Sequence, residues 1–108
     1  MITIEQLKDI KERTEALNRY LDIEGKKIQV EEEQLRTQAP GFWEDQKAAE
    51  AQMKKVKGLQ QWISGYNEVK VMADELQLAF DFYKDELVTE EEVDEAYPKA
   101  SAAVEALE

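Results

Sequence analysis

The fold of this chain is decided by the stretch from residue 56 to residue 87, which reads VKGLQQWISGYNEVKVMADELQLAFDFYKDEL. Its apolar seam consists of Val56, Leu59, Ile63, Tyr66, Val69, Ala73, Leu76, Phe80, Tyr83 and Leu87. These residues recur at steps of three and four, on average about 3.4 residues apart, close to the 3.5-residue repeat of a coiled-coil seam. The stretch therefore predicts one long helix. Glu44 and Asp45 mark its start because negative charge stabilises a helix N-terminus.

The first third of the chain carries a second seam. Thr3 and Gln6 have the spacing of a capping box, which predicts a helix start at residue 4. The seam that follows keeps one heptad phase through Leu7, Ile10, Leu17, Leu21, Ile28 and Leu35. It predicts one helix over residues 4–37, with a bend near residues 22–25 where Asp22 favours a new helix start. The Pro-Gly pair that follows ends this helix.

A third helix is predicted from Thr89, which forms another capping box with Glu92. Pro98 lies in its interior and predicts a bend there. Its apolar face consists of Val93, Ala96, Ala100, Val104 and Leu107. Two long helices joined by about six residues must lie antiparallel, and the third returns along them. The predicted fold is all-α, an elongated antiparallel three-helix bundle with coiled-coil-like packing, in a single domain over residues 1–108.

The composition excludes most classes of active site. The chain has 108 residues, 14 Lys and Arg against 25 Asp and Glu, and neither His nor Cys. Thiolate nucleophiles, Cys or His zinc sites and Ser-His triads are therefore absent. The contiguous glutamates at 31–33 and 90–92 fan around a helix axis, which indicates solvated faces rather than a metal site. We expect no enzyme activity, no catalytic residue, no cofactor, no metal and no small-molecule substrate.

Charge and hydropathy also bear on location and partners. The net charge of −11 argues against non-specific DNA binding, which requires a positive surface. No signal peptide precedes the first helix, and the longest apolar runs have only three residues. We therefore expect a cytoplasmic protein that binds neither DNA nor a membrane. The acidic charge is concentrated at residues 85–108, with nine acidic residues and one basic residue.

Basic residues cluster once. The cluster consists of Lys47, Lys54, Lys55 and Lys57, with Glu50 as its single acidic neighbour. One interpretation is a solvated helix face. The other is a partner-binding surface that contacts RNA phosphate or an acidic protein. We keep the four lysines as the candidate partner-binding surface.

Phe42 and Trp43 lie where the loop meets the long helix, and Trp62 and Phe82 lie beside its seam. Large aromatic residues at such positions favour core packing, with Phe42 or Trp43 as a plug for the end of the bundle. The alternative is an exposed hot spot for a protein partner.

Four short motifs follow one another along the first half of the chain. They are Ile10-Lys11-Glu12-Arg13, Arg19-Tyr20-Leu21-Asp22, Lys26-Lys27 and Pro40-Gly41-Phe42-Trp43-Glu44, the last with the form Pro-x-x-Trp. In this order and at this spacing they resemble the N-terminal region of bacterial peptide chain release factor 2, a class 1 release factor. The resemblance runs from near residue 4 to near residue 108.

The resemblance implies that the chain is the helical N-terminal domain of a longer factor. Such factors direct translation termination at UGA and UAA, where a Ser-Pro-Phe motif reads the codon and a Gly-Gly-Gln motif promotes hydrolysis of peptidyl-tRNA. Neither tripeptide occurs here, so no catalytic or codon-reading residue is carried over. For this domain the resemblance implies docking on the ribosome, at the protein and RNA of the large-subunit stalk base.

The residues themselves also support an alternative function. A 3.4-residue seam and an acidic C-terminal arm fit a stand-alone helical scaffold or coiled-coil adaptor. That alternative predicts self-association or a partner outside the ribosome.

Overall fold

The computed structural model describes residues 1–108, and all of its regular structure is helical. The elements are α1 (Ile4–Leu21), α2 (Ile23–Arg36), a short 3-10 helix (Phe42–Glu44), α3 (Gln46–Lys84) and α4 (Glu90–Leu107). The molecule measures 60 × 24 × 18 Å. The 39 residues of α3 span about 58 Å at 1.5 Å per residue, so this helix runs the whole length of the molecule. The prediction of an elongated all-α fold is confirmed.

The other helices pack along α3 in two groups. α1 and α4 pack against α3 and against each other, whereas α2 packs against the other end of α3. The 18 residues of α4 span about 27 Å and end near the middle of α3, where a methyl group added to Gly65 would lie 3.6 Å from Leu107. The molecule thus has a three-helix half, residues 1–21 and 65–108, and a two-helix half, residues 22–64.

The hydrophobic core belongs almost entirely to the three-helix half. Twelve buried residues form one cluster, and Ile23 is the single member that lies in the two-helix half. The other eleven are Leu7, Ile10, Leu17, Tyr66, Val69, Ala73, Leu76, Phe80, Val93, Ala100 and Val104. Beyond Ile23, the two-helix half buries only Val30, Glu33, Ala49 and Val56. It therefore relies on far fewer apolar contacts.

The single helix predicted over residues 4–37 is wrong, because Asp22 divides it into α1 and α2. Asp22 has left-handed backbone angles (φ 49°, ψ 55°), which end α1. Its side chain then accepts a hydrogen bond from the Gly25 N–H at 3.3 Å and so caps the start of α2. Asp is among the few residues that adopt this conformation readily, since its short polar side chain bonds locally. The predicted bend is thus a complete break, and the bundle has four helices.

The break also moves the buried seam. Ile28 and Leu35, predicted in the seam, are 58% and 64% exposed. Ile23, Val30 and Glu33 are buried instead, so the seam of α2 lies two positions later than the heptad phase of α1 requires. A left-handed residue interrupts the helical rotation, and the phase restarts after it.

The remaining helix boundaries follow the sequence closely. α3 begins one residue after Asp45, whose side chain accepts a hydrogen bond from the Ala48 N–H at 3.1 Å. α4 begins after Thr89, whose hydroxyl accepts a hydrogen bond from the Glu92 N–H. Leu87, predicted at the end of the long seam, is exposed in the turn beyond α3. α4 continues through Pro98 as one helix, and the bend there stays a prediction.

Candidate partner-binding surface

The four candidate lysines lie on the N-terminal half of α3, and all are exposed. Lys54 and Lys57 line one continuous hollow, so the structure brings these two together. Lys55 points across to α2, where its Nζ lies 3.1 Å from Oε1 of Glu33. Lys47 lies in the first turn of α3. The cluster is therefore divided into a pair beside the hollow, one residue in an internal ion pair and one at the helix start.

The hollow beside Lys54 lies at the end of the two-helix half. Its larger part, about 740 Å³, is lined by Gln34, Thr37, Gln38, Trp43, Met53, Lys54, Val56, Lys57 and Gln60. A smaller part of about 510 Å³ shares Trp43, Met53 and Lys54 and adds Gln46, Ala49 and Glu50. We call these two parts together the tip groove. Its surface combines two large apolar side chains, two lysines and several neutral amides.

Trp43 is the most prominent side chain of the tip groove. It lies on the 3-10 helix that follows Gly41, whose φ of 78° favours glycine. Its ring is 62% exposed and meets the Phe42 ring edge to face, with centroids 4.9 Å apart. The prediction of a buried plug is therefore wrong for Trp43, because the turn holds its ring outside the helix interface. Trp62, predicted to pack in the core, is also exposed.

Glu33 is a residue whose role sequence reasoning missed, since it was assigned to a solvated face. It is buried between α2 and α3 and accepts hydrogen bonds from the side chains of Gln52 and Lys55. These bonds, that of Gln52 first, hold the pKa of Glu33 below its ordinary value. Gln52 also donates to the Glu33 backbone carbonyl at 2.9 Å. The cluster fixes how α2 and α3 align, and a seam restarted at Ile23 would have placed Glu33 inside.

Ion pairs in the three-helix half serve the packing of helices. Arg13 on α1 binds Glu108 at the end of α4, which raises the pKa of Arg13 and lowers that of Glu108. On α3, the hydrogen bond from Lys70 to Asp74 raises the pKa of Lys70. Each shift favours the charged form of the side chain. General acids and bases need the opposite, a pKa moved toward neutrality.

A second hollow of about 330 Å³ lies between α1 and α3 in the three-helix half. Its charged lining includes Lys11, Glu15, Lys70 and Asp74, and the last two neutralise each other at 2.8 Å. No group of three or more Asp and Glu side chains is arranged to hold a metal ion. No helix combines the length and apolar character needed to cross a membrane. The tip groove is therefore the better candidate for a functional surface.

Charge divides between the two halves as the core does. The two-helix half carries eight acidic and seven basic residues, a net charge of −1. The three-helix half carries 17 acidic and seven basic residues, a net charge of −10. An anionic partner is therefore repelled by one half and meets a nearly neutral surface on the other.

Comparisons with known proteins agree on one name. The chain is 29% identical to peptide chain release factor 2 of Aeromonas hydrophila and 28% identical to that of Tolumonas auensis, each over 105 residues that cover 97% of this chain and 27% of the relative. It is 31% identical to peptide chain release factor 2 of Neorickettsia sennetsu over 70 residues, which cover 65% of this chain and 19% of that protein.

No protein-family model and no solved structure matches the chain. The chain spans little more than a quarter of the length of the first two relatives. Because the similarity covers most of this chain and every reported relative carries the same name, it supports a relation to the release factor family.

Proposed function

We propose that this chain is the ribosome-docking domain of a peptide chain release factor that acts in translation termination at UGA and UAA. The observation that carries the proposal is the similarity to release factor 2 over 97% of the chain. The ordered motifs, among them the turn from Pro40 to Trp43, support it independently. In this reading the whole factor recognises the codon and releases the peptide, and this domain provides contact with the stalk base.

The distribution of charge supports docking by the two-helix half. Ribosomal RNA is a polyanion, so a surface with a net charge of −10 is unfavourable for close approach. The two-helix half is nearly neutral and ends in the tip groove, which exposes Trp43 and Met53. We infer that the tip of the 60 Å molecule faces the ribosome and that the acidic half points away from the RNA.

We also infer that the domain contributes binding energy and orientation but no chemistry. Its side chains with displaced pKa values are Arg13, Glu33, Lys70 and Glu108, each stabilised in its charged form. None of these is suited to donate or accept a proton at neutral pH. Removing residues 1–108 from the factor should therefore weaken ribosome binding about tenfold, or about 1.4 kcal/mol, without changing which stop codons are read.

Two measurements test the proposal. The reading frame that follows the codon for Glu108 should encode a Ser-Pro-Phe and a Gly-Gly-Gln motif, and their absence would refute the release factor assignment. Peptide release from ribosomes programmed with UGA, UAA or UAG should then be compared for the factor with and without this domain. A shift in codon preference on deletion would contradict a role limited to docking.

A helical scaffold or adaptor remains the second candidate, and one observation favours it. Val71, Leu78 and Phe82 are exposed at spacings of seven and four, which places them on one face of α3. Such a stripe can pack against another helix. Sedimentation equilibrium of the isolated chain tests this candidate, which requires an oligomer that Val71→Glu and Leu78→Glu dissociate. A monomer over the whole concentration range would weigh against self-association.

A further inference from the structure

We propose that the tip groove binds an acidic amphipathic helix of a protein partner. This inference rests on the proposed docking function and names the kind of partner that this part of the chain meets. The groove lies where α2 and α3 continue beyond the end of α4. A helix seated there would give the two-helix half the third helix that it lacks.

The apolar surface of the groove points to a protein rather than a polar ligand. Trp43 and Met53 are exposed at 62% and 47%, and Val56 lies buried beneath them. Trp and Met are enriched in the centres of protein interfaces, where they provide most of the contact area. The edge-to-face contact with Phe42 orients the Trp43 ring before binding, which lowers the entropy lost when a partner is bound.

The lysines determine the charge of the partner. Lys54 and Lys57 are three residues apart, so their side chains lie on the same side of α3. Neither has an acidic side chain within 4.0 Å, whereas Lys55 is already paired with Glu33. Two unpaired cations beside an apolar surface match a helix with apolar residues on one face and Glu or Asp along its edge.

The length of the groove fits a short helix. Met53 and Gln60 lie at its two ends on α3, seven residues or about 10 Å apart. Trp43 extends the apolar surface beyond Met53. A partner helix of about three turns would therefore reach the groove with apolar residues at positions i, i+3 or i+4, and i+7.

RNA fits the same surface less well. The groove supplies two unpaired lysines, and Glu50 lines it as well. Glu44 and Asp45 follow Trp43 directly in the chain. Two phosphate contacts give only weak, strongly salt-dependent binding, and one exposed Trp ring can stack only one base or two. An acidic helix uses the lysines and the apolar surface together.

Three synthetic probes test the proposal with the 108-residue chain. The first is a 14-residue helical peptide with Leu at the i, i+4 and i+7 positions and Glu along one edge. The second has Lys in place of Glu, and the third is a 14-nucleotide single-stranded RNA. Binding is followed by Trp fluorescence in the Trp62→Phe variant, which leaves Trp43 as the single Trp. We expect the acidic peptide to bind at least about tenfold more tightly than either other probe.

A pair of matched variants separates the groove from general charge. Lys54→Glu with Lys57→Glu should weaken binding of the acidic peptide at least about tenfold. Lys8→Glu with Lys11→Glu makes the same charge change at the same spacing on exposed residues of α1 and should leave binding unchanged. Circular dichroism of both double variants shows whether the fold is kept, and Met53→Gln provides a second groove variant that changes no charge.

Three results would overturn the proposal. They are equal binding by both double variants, tighter binding of the Lys peptide or the RNA, and a dimer of the chain that the Lys54→Glu and Lys57→Glu variant dissociates. Co-sedimentation of the chain with ribosomes separates this inference from the docking function. Peptide binding without co-sedimentation would refute docking alone, whereas co-sedimentation without selective peptide binding would refute the acidic helix alone.

Discussion

The two halves of this molecule solve different problems with the same helix, α3. In the three-helix half, α3 is packed between α1 and α4, and eleven buried residues form one apolar cluster there. In the two-helix half, α3 has α2 as its single long neighbour and depends on four buried residues beyond Ile23 and on the Glu33 cluster. Stability is concentrated at one end of the molecule, and contact surface is presented at the other. Local opening should therefore begin in the two-helix half.

The largest expected effect is the removal of a core side chain from the three-helix half. Leu76 is fully buried there, so Leu76→Ala should lower the free energy of unfolding by about 3 kcal/mol. Val56→Ala on the same helix, in the two-helix half, should cost about 1.5 kcal/mol because only two methyl groups are lost beside an open groove. Urea denaturation followed by circular dichroism measures both. A larger loss for Val56→Ala would contradict the comparison of the halves.

The junction between the halves should give an intermediate effect. Asp22→Ala removes the side-chain cap of α2 and places Ala in a left-handed conformation, so we expect a loss of about 1–2 kcal/mol. Asp22→Gly also removes the cap but suits the positive φ, and its loss should be a few tenths of a kcal/mol. Thermal unfolding of the two variants provides the measurement. If Gly proves as harmful as Ala, the left-handed backbone is not what the junction requires.

The Glu33 cluster predicts a pH effect confined to the two-helix half. Because the folded-state pKa of Glu33 is lowered, the charged carboxylate stabilises the fold above its unfolded pKa, about 4.3. That stabilisation is lost as the pH falls through the lower, folded-state pKa. Amide hydrogen exchange at decreasing pH should show protection falling in α2 before it falls in α4.

Two variants complete that test. Glu33→Gln should remove the pH dependence of α2, since the amide carries no charge at any pH and keeps a similar size. Glu108→Gln breaks the pair with Arg13 in the three-helix half and should leave the exchange of α2 unchanged. Loss of protection in α2 and α4 at the same pH, in the unmodified chain, would show that the halves unfold together.

The same contrast explains what could be predicted from the sequence. The seam of α3 could be predicted because its period continues unbroken from Val56 to Tyr83 in one helix. The seam of α2 could not, because Ile28 and Leu35 offer an apolar pair of the same size as Ile23 and Val30. The choice depends on the left-handed turn at Asp22, which only packing against α3 decides. Local pattern is decisive where the helix is continuous and ambiguous after a break.

The candidate surface divides in the same way. Lys54 and Lys57 could be identified from charge alone because basic residues cluster only once in the chain. The pairing of Lys55 with Glu33 could not, since it depends on the shifted seam of α2. Trp43 at the start of a helix fits either a buried plug or an exposed contact, and the geometry of the turn after Gly41 decides between them.

The smallest effect on stability, and a large one on binding, is expected at Trp43. Trp43→Ala removes an exposed ring whose one aromatic contact is with Phe42, so the free energy of unfolding should change by less than about 1 kcal/mol. The same change removes the main apolar contact of the tip groove and should weaken binding of the acidic peptide at least about tenfold. Fluorescence anisotropy of a labelled peptide measures this without a Trp signal.

Trp62→Ala is the matched control, since Trp62 is also an exposed Trp of α3 but does not line the tip groove. It should leave peptide binding within about twofold of the unmodified chain. If Trp43→Ala destabilised the chain as much as Leu76→Ala does, Trp43 would be a structural residue of the two-helix half. The contrast between a stable half and a contacting half would then fail at the residue where it is expected to be greatest.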